Sequence, residues 1–222
     1  MIRLKKVSKI YEITSEISFK ALTDISLRIE EGGFIGLVGP SGCGKSTLMH
    51  IIGLLEKPTS GNVWIRDQDT RTLSDTDLSH LRNVVIGFVF QQFNLINKLT
   101  VLENVFLPSM YAKRTSSEDY YTKALGLLNR FGIASKANSY PNKISGGEQQ
   151  RAAIARALIM SPAIILADEP TGNLDSKNGQ EILALLHDLN LKDKITLVIV
   201  THDSQVAKKA DRIIRLQDGK LI

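Results

Sequence analysis

Apolar residues in the first third of this chain occur in short runs or alternate with polar residues, separated by glycine-containing turns. This pattern is typical of β-strands. It predicts strands at Ile2–Val7, Leu22–Ile29, Phe34–Val38 and Val63–Arg66, with Val84–Phe90 as a further candidate from its β-branched and aromatic residues.

The middle of the chain has helical spacing, and the last third alternates between the two patterns. Leu102–Tyr111 and Glu118–Phe131 carry apolar residues every three or four positions, with Ser116 or Ser117 as an N-cap. Further along, we predict a helix after Ser145, a strand at Ile164–Ala167, a helix at Ser176–Leu189, and strands at Thr196–Val200 and Ile213–Leu216. Apolar strands separated by helices predict an α/β fold with a mostly parallel sheet, interrupted by a helical insertion at about residues 92–160.

The composition limits the class of protein but does not identify a function. The chain has 222 residues, of which 43% are hydrophobic and 23% charged, as expected for one substantial core with at most a smaller lobe. No apolar run approaches the roughly 18 residues of a membrane span, and no secretory signal is predicted. A single cysteine excludes an intrachain disulfide and fits a reducing compartment. The net charge of +5 leaves contact with nucleic acid or with an anionic membrane open, although a solvated basic surface is the simpler interpretation.

One segment has the sequence pattern of a phosphate-binding loop. The pattern G-x-x-x-x-G-K-[ST] directly follows a predicted strand and precedes a helical run, Leu48–Leu55. Small residues in such a loop let backbone N–H groups close around phosphate oxygens, at the positive end of the helix. Lys45 then reaches the β- and γ-phosphates, and the Ser46 hydroxyl coordinates Mg²⁺. We therefore predict that the chain binds a nucleoside triphosphate through Gly39, Pro40, Ser41, Gly42, Cys43, Gly44, Lys45, Ser46 and Thr47. Cys43 is interpreted as a small filler residue, and if its thiol is accessible, a bulky alkylating agent should block nucleotide binding.

A second signal is the pair of carboxylates that ends the predicted strand at Ile164–Ala167. Ligands of open α/β sheets collect at the carboxyl edge of the strands, which places Asp168 to hold Mg²⁺ through water. Neighbouring carboxylates repel each other unless a cation separates them. With Asp168 neutralised in this way, Glu169 is available to polarise an attacking water as a general base. Taken alone, the same residues would also suit an acidic turn before Pro170.

The third signal is Ser145-Gly-Gly-Glu148, which has the S-x-x-E spacing of a helix capping box. Capping does not explain why Gly146 and Gly147 occupy the first helical turn, where each is less favourable than Ala by about 0.5–1 kcal/mol. Close approach of a phosphate to the backbone would explain them. Since the chain already has one phosphate loop, nucleotide held between two copies of the protein is the simplest arrangement.

Together, Gly39–Thr47, Ile144–Glu148, Ile164–Glu169 and Val200–His202 resemble the ATP-binding cassette of ABC transporters. The resemblance covers nearly the whole chain and implies a P-loop NTPase with an N-terminal antiparallel β subdomain. It further implies a catalytic core at 1–91 and 161–222, with a helical subdomain at about 92–160. ATP and Mg²⁺ are the implied ligands.

The resemblance also implies individual roles, each with a simpler alternative. Tyr11 resembles the aromatic residue that stacks on adenine, although it could be an ordinary strand or loop aromatic. Gln91 resembles the glutamine that joins the Mg²⁺ and water site to the membrane subunit, although Gln92 could serve instead. His202 resembles the histidine that contacts the γ-phosphate, although it could merely precede a helix capped by Asp203. Finally, the loop that passes between two nucleotide sites corresponds to Asn173–Asp175.

Two residues depart from the family pattern. The usual Leu-Ser-Gly-Gly-Gln is Ile-Ser-Gly-Gly-Glu here, so Glu148 could alter contacts with a partner site, and Cys43 stands where Ser or Ala is common. Within the family, the segments Phe88–Ile96, Leu99–Val105 and Asp168–Asp175 are most similar to the macrolide-export and lipoprotein-release group.

The resulting hypothesis is an ATP-hydrolysing subunit that dimerises around two ATP molecules at the cytoplasmic face of the cell membrane. There it would drive a separate permease subunit or a fused membrane domain that moves an amphipathic molecule. A soluble ABC ATPase acting on DNA or ribosomes is an alternative, but it usually carries two cassettes or a long coiled-coil insertion, so no direct nucleic-acid contact is expected. A P-loop kinase is a third possibility, but it would leave Ser145–Glu148 unexplained.

Overall fold

The computed structural model describes residues 1–14, 17–112, 117–201, 204–207 and 209–222. The chain divides into a first unit, Met1–Ser79 with Thr196–Ile222, and a second unit, His80–Ile195. The chain first passes from the first unit to the second within helix α2 (Asp75–Val85).

The first unit contains an antiparallel sheet built from four strands: β1 (Ile2–Glu12), β2 (Ser18–Ile29), β4 (Ser60–Ile65) and β5 (Gln68–Asp69), in the order β2-β1-β4-β5. The same unit holds β3 (Phe34–Val38), which precedes the phosphate loop, and its neighbours β8 (Thr196–Val200), β9 (Arg212–Gln217) and β10 (Lys220–Leu221). Strand β3 pairs in parallel with both β8 and β9, and β10 is antiparallel to β9. Helix α1 (Lys45–Ile52) contacts β2 and β8, and α7 (Ser204–Ala207) contacts β3.

The second unit combines a parallel pair of strands, β6 (Ile86–Val89) and β7 (Ile164–Asp168), with four α-helices in the part of the chain described here. These helices are α3 (Val101–Phe106), α4 (Ser117–Arg130), α5 (Gly146–Leu158) and α6 (Ser176–Asp193). Helices α3, α4 and α5 contact one another, and α5 also packs on β6 and α6. Packing on β6 is close, because a Cβ at Gly87 would lie 2.5 Å from the carbonyl oxygen of Ala157.

Most of the predicted elements are present, and the differences have local causes. The expected strand at Val84–Phe90 shortens to β6, because Val84 and Val85 end helix α2. That helix was not predicted. Its available signal is Ser74, whose hydroxyl accepts a hydrogen bond from the backbone N–H of Asp77 at 3.2 Å, with Asp75 and Asp77 in the first turn.

The helix predicted at Leu102–Tyr111 is α3 followed by a 3-10 turn, Leu107–Tyr111. Pro108 lacks a backbone N–H and falls in the first turn of the second element, so the α-helical hydrogen bonds do not continue. Helix α4 begins at Ser117, and the alternative cap Ser116 lies outside the described residues.

Candidate functional site: a phosphate loop and a second helix start

The phosphate loop connects β3 to α1 in the first unit, and its backbone requires glycine. Gly42 and Gly44 have φ angles of +76° and +101°, a region that other residues rarely adopt. A Cβ at Gly44 would also lie 2.5 Å from the carbonyl oxygen of Ala21. Gly44 is the N-cap of α1, so Lys45, Ser46 and Thr47 form the first helical turn, where backbone N–H groups have no intrahelical acceptor.

Lys45 lies at the centre of this loop and is only 9% exposed. Its ammonium donates hydrogen bonds to the carbonyl oxygens of Gly39 and Pro40, at 2.9 and 2.8 Å. Both partners are neutral, so these bonds orient the ammonium without cancelling its charge. A buried cation beside a helix N-terminus fits an anionic ligand such as a triphosphate.

The base of the loop is fixed by residues that the sequence interpretation missed. The N–H of Gly219, in the turn between β9 and β10, donates to the carbonyl of Cys43 at 3.1 Å. The carbonyl of Gly219 in turn accepts a hydrogen bond from the N–H of Thr23 at 2.8 Å. The dipeptide Asp218-Gly219 between two apolar segments is typical of a hairpin turn, so the sequence could have predicted the turn that makes these hydrogen bonds.

Cys43 is a filler residue, as predicted, because it is 4% exposed and faces the backbone of the loop. A Cβ at Gly39 would lie 2.7 Å from its sulfur. The condition attached to the alkylation hypothesis, an accessible thiol, is therefore not met in this structure.

Cys43 provides a test of loop packing. We expect a bulky maleimide to modify it at least about tenfold more slowly in the folded protein than in urea, because reaction requires the loop to open. The extent of modification over time, measured by mass spectrometry, checks this expectation. Equal rates in the two conditions would show that the thiol is exposed.

Tyr11 is half-buried in β1 and is held by its hydroxyl, which donates to Glu56 Oε2 at 2.6 Å. The ammonium of Lys9 lies 5.0 Å from the centre of the Tyr11 ring and 3.3 Å from Glu56. Burial and the Glu56 carboxylate raise the pKa of Tyr11, although a hydrogen bond with Thr47 acts in the opposite direction. Glu56, which sequence reasoning missed, therefore fixes the ring that was predicted to stack on adenine.

In the second unit, β7 ends at Asp168 and the backbone then turns sharply at Glu169. Glu169 has a φ of +42°, and a non-glycine residue in this region carries strain of about 1–3 kcal/mol. Strain of this kind is concentrated at functional sites. Both residues are half-buried and make interactions within the protein.

Gln91 follows β6 and contacts the loop that comes after Glu169. A Cβ at Gly172 would lie 2.6 Å from Gln91 Nε2, and the side-chain amide of Asn173 donates to the Gln91 carbonyl at 3.0 Å. Gln92 is exposed, whereas Gln91 is half-buried. Of the two glutamines, Gln91 is thus the one whose side chain packs beside the segment that carries the carboxylates.

The start of α5 contains the expected capping box. Ser145 Oγ accepts a hydrogen bond from the N–H of Glu148 at 3.4 Å, and Glu148 Oε2 accepts from the N–H of Ser145 at 2.8 Å. Gly146 and Gly147 form the first helical turn, as predicted. Ser145 is exposed, whereas Gly147 is buried within its own unit.

Glu148 adds a pH-dependent contribution to stability. The hydrogen bond from the backbone N–H of Ser145 lowers the pKa of Glu148. The Ser145 hydroxyl and the Lys136 ammonium, which lies 3.6 Å from the Glu148 carboxylate, lower it further. A folded-state pKa below the unfolded value means that the stabilisation is present above about pH 4.3 and is lost as the pH falls further.

Glu148→Gln isolates this charge, because Gln still accepts the capping hydrogen bond. We expect the variant to unfold about 1–2 °C below the parent protein at pH 7, with the difference shrinking steadily as the pH falls below about 4.3. Thermal unfolding across this pH range checks the expectation. A constant difference would contradict it.

The remaining predictions concern the Mg²⁺ ligands and His202. The described residues contain no group of three or more His, Cys, Asp or Glu side chains that could hold a metal. The predicted Mg²⁺ ligands, Ser46, Gln91 and Asp168, are instead a hydroxyl, an amide and one carboxylate. Oxygen donors of these kinds are what Mg²⁺ prefers, with water and phosphate completing the coordination. His202 and Asp203 lie outside the described residues.

A lysine-centred loop between a parallel strand and a helix, in a mixed α/β fold, defines a P-loop nucleotide-binding protein. The chain belongs to the ABC transporter family, which matches residues 22–172. ATP binding and ATP hydrolysis are the activities of this family, and the predicted ABC ATPase fold is confirmed.

Curated relatives agree with the resemblance inferred from the sequence. An uncharacterized ABC transporter ATP-binding protein of Methanocaldococcus jannaschii is 51% identical over 100% of this chain and 95% of that protein. A lipoprotein-releasing system ATP-binding protein of Rhodopseudomonas palustris is 42% identical over 100% of this chain and 98% of that protein. The macrolide export ATP-binding/permease protein MacB of Chlorobaculum tepidum is 46% identical over 100% of this chain but only 34% of that protein. The predicted macrolide-export and lipoprotein-release group is therefore confirmed, and these relatives are transporter components, not soluble nucleic-acid proteins.

A solved structure supports the same assignment. A dimeric ATP-binding cassette in a post-hydrolysis state, bound to ADP and Pi, superimposes with a TM-score of 0.91 and 49% identity over 100% of this chain and 96% of that chain. Among the residues described for the present protein, no helix combines the length and hydrophobicity needed to cross a membrane.

Proposed function

We propose that two copies of this protein close around two ATP molecules and thereby drive an integral membrane partner on the cytoplasmic face of the cell membrane. The observation that carries this proposal is the similar cassette solved as a dimer with ADP and Pi. Support for a membrane partner comes from the macrolide export relative, whose name combines an ATP-binding protein with a permease. The partner is a separate permease subunit or a fused membrane domain, and the substrate is an amphipathic molecule of the lipoprotein, macrolide or antimicrobial-peptide type.

Within this proposal, the residues of the chain have separate roles. Gly39–Thr47 bind the phosphates, with the Lys45 ammonium placed against the negative charge, and Tyr11 supports the base. Ser145–Glu148 of the second copy close over the same nucleotide. Glu169 accepts a proton from the attacking water, and His202 orients that water.

Mg²⁺ would be held by Ser46, Asp168 and Gln91 and would neutralise charge that develops on the phosphate oxygens. Gln91 also links this site to the membrane partner. In this scheme, 1–91 and 161–222 form the catalytic core, and about 92–160 form a helical subdomain.

Two measurements test the proposal: self-association of the protein, and stimulation of its ATPase activity in the presence of a membrane partner. Sedimentation with ATP and Mg²⁺ is expected to show a dimer, and sedimentation with ADP a monomer. The purified protein is then reconstituted in liposomes with the membrane protein encoded beside its gene. We expect an acylated lipoprotein or a macrolide to stimulate ATPase activity, and absence of any stimulation by amphipathic molecules would contradict the proposed substrate class.

A further inference from the structure

The two adjacent glycines at the start of α5 have different surroundings. A Cβ built on Gly147 would lie 2.5 Å from Asn178 Oδ1 and 2.9 Å from Asn178 Cγ, closer than real Cβ atoms approach. A Cβ on Gly146 would meet Leu174 at 3.4 Å and Phe93 at 3.6 Å, which are ordinary van der Waals contacts. Of these two glycines, only Gly147 has, among the described residues of its own chain, a steric reason to be glycine.

Asn178 cannot move away freely, because Asp175 holds it at two points. The backbone N–H of Asn178 donates to Asp175 Oδ1 at 2.9 Å, and its Nδ2 donates to Asp175 Oδ2 at 2.6 Å. Asp175 is the N-cap of α6, so these bonds also fix the first turn of that helix. Any shift of the Asn178 amide would weaken a hydrogen bond to a charged group.

We propose that Asn178 is a positioning residue that fixes the Ser145–Gly147 start of α5 relative to the Asn173–Asp175 loop. This inference rests on the proposed function, in which both segments meet the second copy of the protein. Gly147 is then glycine because Asn178 of the same chain packs on it. Gly146 is left as the glycine whose backbone a phosphate of the partner's nucleotide approaches.

A double-mutant cycle separates the two roles. In a Glu169→Gln background, where ATP is not turned over, we expect Gly147→Ala to weaken ATP-dependent dimerisation about tenfold or more. Adding Asn178→Ala should restore affinity to within about threefold of Asn178→Ala alone, because it removes the atoms that the new methyl group meets. Gly146→Ala is the matched control, and its defect should not be relieved by Asn178→Ala. ATP affinity of the monomer should stay unchanged throughout, which a general loss of structure would not allow.

The proposal is overturned if Gly147→Ala is equally harmful with and without Asn178→Ala. If the parent Glu169→Gln protein does not dimerise at all, the proposed function fails. The steric part is then decided by urea unfolding of the monomer, where Asn178→Ala should relieve the loss of stability caused by Gly147→Ala. Asn178→Ser, which removes the same amide, replaces Asn178→Ala should that variant not fold.

Discussion

Glu169→Gln is expected to lower the rate of ATP hydrolysis by at least about 100-fold while leaving ATP binding intact, because an amide has nearly the shape of the carboxylate but cannot accept a proton. Glu169 itself has the strained backbone conformation of the turn after β7, and the substitution changes only its side chain. Trapped ATP should then hold two copies together, so gel filtration with ATP and Mg²⁺ is expected to show a stable dimer.

The control is Glu30→Gln, which makes the same chemical change on a side chain that is 66% exposed. It should retain full activity. A Glu169→Gln protein that elutes only as a monomer with ATP, or that hydrolyses ATP at the parent rate, would contradict the role of Glu169.

Lys45→Met is expected to raise the dissociation constant of ATP about 100-fold and to abolish turnover. Methionine keeps most of the aliphatic stem of this buried side chain but removes the ammonium that the carbonyls of Gly39 and Pro40 orient. Hydrogen bonds to charged groups contribute about 1.5–3 kcal/mol, and 2.7 kcal/mol corresponds to 100-fold in affinity.

Isothermal titration with ATP measures this change directly. Lys192→Ala is the control, because Lys192 is 70% exposed and forms an ion pair with Asp188 on α6. An ATP affinity of Lys45→Met within about threefold of the parent value would show that the loop binds phosphate through its backbone alone.

Sequence patterns located the elements that depend on local chemistry. The strand bounds at Phe34–Val38 and Thr196–Val200 agree with β3 and β8, since both runs are apolar and end at clear polar or glycine signals. The capping box at Ser145 was readable because it needs only two residues at a fixed spacing. Helix α2 was missed because its polar residues obscure a short apolar face.

Contacts between distant residues could not be read from the sequence. The hydrogen bond from Gly219 to the carbonyl of Cys43 joins residues more than 170 positions apart, and the contact of Asn178 with Gly147 joins two different helices. Tertiary packing creates both, so no spacing rule reports them. The contact of Asn178 also changes one interpretation, because a phosphate is no longer needed to explain the glycine at position 147.

The central claim is that hydrolysis requires two copies, and its most direct test is the ATPase rate per molecule as the protein is diluted at saturating ATP and Mg²⁺. Between about 10 µM and about 10 nM, we expect this rate to fall steeply, in proportion to the fraction of dimer that sedimentation measures under the same conditions. A rate per molecule that stays constant down to concentrations where only monomer is present would contradict the claim.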